Sequence, residues 1–193
     1  KTLHIGASMS HRSSSDSTFS ISTRAENHLG TKLLDLDLSD INNMNLIGGE
    51  MAFVMGSFSI QGEYIMSSLD KDGDGVWNAS HNYNLSSYYA QISYFLTGEK
   101  RKYKGSLSGF GRIKPKNNMK EGGGLGAFEL AARYSSMDLS DAHGGTLNDI
   151  TVGLNWYLNP STRLMFNYVM GTLDDHGVET TENIFQCRMQ IDF

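Results

Sequence analysis

The residue pattern of this chain predicts an all-β fold, an antiparallel barrel that crosses a membrane with its strands. Three observations lead there. Most of the chain alternates apolar and polar residues with a period of two, which gives a strand two unlike faces. The alternating runs are about ten residues long, the length a tilted strand needs to cross a bilayer core. No stretch approaches the roughly 18 consecutive apolar residues of a membrane helix, and none has the period of an amphipathic helix. Gly is abundant (21), Pro nearly absent (2), and the mean hydropathy is negative. A chain can look hydrophilic overall and still span a membrane when only alternate side chains touch lipid.

Taken in order, residues 2–12 set Leu3, Ile5, Ala7 and Met9 against His4, Gly6, Ser8 and Ser10, a strand. Residues 13–17 read as a short polar turn and 18–26 as a second strand, with Phe19, Ile21 and Thr23 opposite Ser20, Ser22 and Arg24. Residues 27–45 read as a long connection in which KLLDLDLS is at most a short strand. Residues 46–55 and 58–69 form a hairpin around Gly56-Ser57, and the polar stretch DKDGDGVWNASHNYN that starts at Asp70 is a loop. Residues 86–97 are the next strand; a cationic segment follows, then a strand over 125–137 and a loop over 138–146. Residues 149–171 make the clearest hairpin. There Ile150, Val152, Leu154, Trp156 and Leu158 share one parity, and Asn159-Pro160-Ser161 is turn chemistry. Trp156 and Tyr157 fall where a membrane boundary would place an aromatic girdle. After a loop over 172–182, Phe185, Cys187, Met189, Ile191 and Phe193 alternate with Gln186, Arg188, Gln190 and Asp192. The expected count is about nine strands in one domain, residues 1–193.

The chain begins KTLHIGASMS, already alternating. The expectation is therefore a removed leader or the distal part of a longer protein. Cys187 is the one cysteine, so no intramolecular disulfide forms. The net charge of −5 hides an asymmetry, because half of the 16 cations lie between Glu99 and Glu121. They are Lys100, Arg101, Lys102, Lys104, Arg112, Lys114, Lys116 and Lys120. A local positive field of this kind steers anions.

Several blocks resemble the phosphate-selective porin O and P family. They are FSIQGEY (58–64), SSYYAQISYFLTGEKRKY (86–103), GRIKPKNN (111–118), GAFELAARYSSMDLSD (126–141) and NDITVGLNWYLNPSTRLMFNYV (148–169). Phe193, closing an alternating strand, resembles the assembly signal of bacterial outer-membrane barrels. The resemblance implies a sixteen-stranded outer-membrane barrel of the porin type, of which this chain is the C-terminal half. It implies a homotrimer contacting outer-membrane lipid and lipopolysaccharide, with a lumen that favours small anions, phosphate or polyphosphate first. The family's inward-folded constriction loop with its arginine ladder would lie upstream, so phosphate specificity does not transfer residue by residue. Loop lengths place the short turns at 13–17, 56–57 and 159–161 on the periplasmic side and the long loops on the other. The cationic segment alone breaks that rule.

In such a barrel the polar parity faces the lumen. Arg24, Arg133, Arg163 and Arg188 then line the pore, unless Arg133–Glu129 and Arg188–Asp192 pair as braces on the wall. Lys100, Arg101, Lys102, Lys104, Arg112, Lys114 and Lys116 are the stronger anion-binding candidates; a solvated basic loop against lipid headgroups or peptidoglycan is the plainer reading. Asp70, Asp72 and Asp74, with Gly75, match the first half of a calcium loop, but His81 stands where a bidentate Glu belongs. An acidic turn explains them as well. No nucleophile elbow, paired-His metal motif or phosphate-cradling glycine loop appears, so no enzyme and no obligatory cofactor is expected. Strands flanking the basic run argue against nucleic acid as the partner. The alternatives are a general porin, or a non-conducting barrel whose external loops bind a partner.

Overall fold

The computed structural model of the protein describes residues 1–71, 81–105, 109–120 and 123–193. Its strands are β1 (Thr2–Ser13), β2 (Thr18–Thr23), β3 (Leu34–Ser39), β4 (Ile41–Met55), β5 (Phe58–Lys71), β6 (His81–Phe95), β7 (Tyr103–Gly105), β8 (Gly109–Phe110), β9 (Ala127–Asp138), β10 (Thr146–Asn159), β11 (Thr162–Asp175) and β12 (Val178–Ile191). One 3₁₀ turn, Ser140–Ala142, is the sole helical element among the described residues. Eight strands form a single antiparallel sheet in the order β1-β4-β5-β6-β9-β10-β11-β12. The sheet is open, with β1 and β12 as its edges.

The two faces follow from the register. One row across the sheet reads Leu3, Phe53, Ile60, Ile92, Ala132, Val152, Tyr168 and Phe185. This face is apolar yet bare: Ile5 is 71% exposed, Phe185 72% and Phe193 fully. Phe128 stacks on Trp156 there, ring centroids 5.5 Å apart, and neither enters a protein interior. A sheet of this size with an uncovered apolar face belongs in hydrocarbon, because in water such a patch would drive association. The opposite face is polar at mid-height, where one row reads Gly6, Glu50, Glu63, Tyr89, Ser135, Asp149, Gly171 and Glu182.

Three expectations need correcting. The strand predicted at 18–26 does not join the wall. β2 pairs only with β3, in a separate hairpin folded over the polar face, and the wall has eight strands rather than nine. Its alternation is that of a membrane strand, but its apolar side chains Phe19, Ile21, Leu36 and Leu38 pack on a protein core of Leu34, Ile41, Leu69, Leu85, Leu139 and Leu147. Period two reports two unlike faces and is silent on what the apolar one touches. Second, residues 13–17 lie at the opposite end from the short turns, since Ser13 pairs with Asn43 and Asn43 with Asp70. Third, the loop predicted at 172–182 is mostly strand: β11 and β12 run on to a two-residue turn at His176-Gly177, both with positive φ. Polar residues there pair in register because a strand continues beyond the membrane into water. The 56–57 and 159–162 turns are at one end, and residues 14–40 and 139–145 at the other.

Candidate functional site

Two segments fold onto the polar face, one from each end, and between them they position most of the predicted site residues. From the end of the short turns comes the basic segment between β6 and β9. Ile113 anchors it in a cluster with Phe95, Ala127 and Tyr157. Arg101 reaches the wall, donating Nη2 (2.7 Å) and Nε (3.2 Å) to one oxygen of Glu129, a fully buried carboxylate. The other oxygen of Glu129 accepts Tyr157 OH (2.8 Å) and Asn155 Nδ2 (3.0 Å). A charge this deep is tolerated only because it is paired and fully hydrogen-bonded. On the far side, Tyr103 OH lies 2.7 Å from His4 Nδ1, and His4 Nε2 2.8 Å from Glu50.

Glu99 organises the segment's interior. Burial raises its pKa, and the Lys116 backbone amide, which donates to Oε1 at 3.0 Å, together with the Thr97 hydroxyl more than offsets that; the carboxyl is held below the ordinary range. Around this carboxylate, Lys100, Lys102, Lys104, Arg112, Lys114 and Lys116 line a basin of about 640 Å³. All six side chains are exposed, and Lys100, Lys102, Lys104 and Lys114 make no ion pair among the described residues. Among the described residues Lys116 Nζ reaches only the Thr97 carbonyl, at 3.5 Å.

Beside the basin is a cleft of about 330 Å³ lined by Arg101, Arg112, Arg163, Ser161, Gln190 and Asp192, among others. Arg112 stands 3.7 Å from Asp192. Arg163 donates Nε and Nη2 to Gln190 Oε1 at 3.0 and 2.8 Å. Arg188 is exposed on the polar face of the edge strand, opposite Met165, with no polar partner among the described residues.

From the other end comes the β2–β3 hairpin with its connection, residues 24–33. Glu26 meets Arg133 Nε at 2.6 Å, a charge contact rather than an aligned hydrogen bond, and Arg133 lies over the Tyr89 ring at 3.9 Å. Arg24 Nε donates to Gly30 O (2.8 Å) and shapes the hairpin itself. The expected braces Arg133–Glu129 and Arg188–Asp192 do not form. Residues four apart on a strand are about 13 Å apart, so Arg133, Glu129 and Asp192 find partners on other elements instead, while Arg188 has none among the described residues. Glu26, Glu99 and Glu129 as anchors were not legible as such: each is an ordinary acid in sequence, and only the two inward folds bring its partner to it. Asp70 is a strand residue opposite Asn82, while Asp72 and Asp74 lie outside the described residues.

Comparison with known proteins agrees with this geometry. The model of the family "Phosphate-selective porin O and P" matches residues 1–193. Porin O of Pseudomonas aeruginosa is 30% identical over 204 residues, covering 89% of this chain and 44% of that protein. An uncharacterized protein of Caulobacter vibrioides is 35% identical over 115 residues, covering 54% of this chain and 22% of its own length. The chain thus spans less than half the length of either relative. With an open β-sheet that is apolar outside and polar inside, and a family match from end to end, this chain belongs to the phosphate-selective porin O and P family of outer-membrane β-barrels.

Proposed function

We propose that this chain forms part of the wall and mouth of a water-filled outer-membrane pore through which small anions, phosphate or polyphosphate first, diffuse passively. The observation that carries this is the basin: six exposed cations of the basic segment converge at one end of the polar face, and the one acid among them, Glu99, is buried. Buried beneath the segment, Glu99 is tied up by Lys116 and Thr97 and exposes little charge to a passing ion. A concave basic mouth in front of low-dielectric walls raises the local anion concentration and the entry rate. Arg101–Glu129 and Tyr103–His4 tie the segment to the wall, which supports a basic backbone held at the mouth with its lysine side chains free in water. No bond is made or broken in this function. A homotrimer, with the bare apolar face against lipid and lipopolysaccharide or a neighbouring subunit, is part of the same proposal and rests on the family.

The test is the reversal potential of single pores in a salt gradient. Wild-type pores should prefer anions, and converting Lys100, Lys102, Lys104, Lys114 and Lys116 to Gln should reduce that preference several-fold. A cation-selective wild type, or a preference untouched by the quintuple variant, would overturn the reading.

A further inference from the structure

The hairpin formed by β2 and β3 crosses the polar face; its apolar side chains rest on the core around Ile41 and Leu69, Thr31 bonds Glu182 of β12, and the other polar ties from its connection to the wall converge on one residue. The Glu26 carboxylate takes Ser135 Oγ on Oε1 and Thr151 Oγ1 on Oε2, both at 2.7 Å, in addition to the Arg133 contact at 2.6 Å. Those three partners sit on two adjacent wall strands, β9 and β10. The backbone carbonyl of Glu26 accepts Gln186 Nε2 (2.8 Å) from β12. One residue therefore ties the hairpin to three strands. Its neighbour Ala25 is 1% exposed and lies against Gly171 so closely that a Cβ added there would come within 2.7 Å of the Ala25 methyl.

The charge environment makes this attachment conditional. Glu26 enters a row of wall carboxylates, Glu63, Asp149 and Glu182, and Asp149 is 5% exposed with Oδ1 lacking any hydrogen-bond partner among the described residues. Arg133 is the cation that admits a further acid there, held between the Tyr89 ring and Glu26. Conversely, Glu26 cancels the charge Arg133 would present to a passing ion. Under the hairpin lies a chamber of about 240 Å³ that includes Arg24, Glu26, Glu63, Arg133 and Asp149.

We propose that Glu26 is the selectivity and positioning residue of this part of the pore: it clamps the hairpin across the lumen, setting the free width, and masks Arg133, setting the charge that ions meet. The proposal rests on the polar face being a pore lumen, and its test separates the two. In a Cys187→Ser background of the full-length pore-forming protein, Ala25→Cys reports the clamp through its labelling by a membrane-impermeant maleimide. With Glu26 intact the thiol is shielded. Glu26→Gln should speed labelling about tenfold, raise single-channel conductance, and shift the reversal potential toward anions as Arg133 loses its counter-charge. Gly171→Leu should displace the hairpin sterically, raising labelling and conductance with a smaller change in selectivity. Labelling unchanged by Glu26→Gln overturns the clamp, whatever the conductance does. Faster labelling in a protein that forms no pores supports the clamp and sinks the channel reading instead.

Discussion

Arg101 shows how a cation placed by sequence beside other cations takes on a different task. Its neighbours Lys100 and Lys102 face solvent, whereas Arg101 turns to a carboxylate with no exposed surface. Arg101→Ala should cost about 3 kcal/mol, the usual result of leaving one member of a buried pair alone. Lys102→Ala should stay within about 0.5 kcal/mol, as for most surface positions. Denaturant midpoints of the refolded pore protein check both. Glu99 makes a pH prediction. Its folded pKa is lowered, so its contribution to stability is complete above the ordinary carboxylate value of about 4.3 and is lost as pH falls through the lower folded value. Acid should loosen the basic segment, and Glu99→Gln should abolish that limb of the stability profile, as followed by carboxyl NMR titration and by denaturant midpoints. None of this was visible in the sequence. The run of cations could be counted there, but which one folds inward depends on Glu129, 28 positions further on and on a different element.

Among the elements, the wall strands were legible because each must satisfy two solvents at once. β10 carries Thr151, Gly153 and Asn155 toward the polar face and Val152, Leu154 and Trp156 toward the bare one, as alternation predicts. Adjacent positions on one strand should therefore respond in opposite ways. Val152→Arg puts a charge into hydrocarbon near mid-strand and should cost about 2–4 kcal/mol, whereas Thr151→Arg points to the aqueous side and should cost well under that. Reversible unfolding from lipid vesicles measures both, and equal costs would mean that the faces are misassigned. β2 was misread as a wall strand because its pattern is identical in kind, whereas the short strand expected in KLLDLDLS is β3. What distinguishes it is length: β2 and β3 have six residues each, too few for the roughly nine to eleven of a tilted crossing. Strand length, rather than alternation, separates a wall strand from one folded inside.

For the whole molecule, the open edges decide what this chain can do by itself. β1 and β12 each present a row of backbone donors and acceptors with no partner strand among the described residues, and in hydrocarbon every such group costs several kcal/mol. A wall of eight strands, an even number, fits one half of the sixteen-stranded barrel that the family resemblance implies, with the short turns at 56–57 and 159–162 on a common side. Edge strands that are long, flat and apolar on one side pair with whatever strand they meet. The 193-residue chain refolded alone into vesicles should therefore aggregate or stay peripheral, with no discrete conductance steps. Supplying the remaining strands in one polypeptide should give a heat-resistant, conducting species whose β1 and β12 amides are protected from hydrogen exchange as strongly as those of β5. Discrete, uniform conductance from the 193 residues alone would show instead that β1 and β12 close on each other or on another copy, and the basin would then sit at the mouth of a much narrower tube.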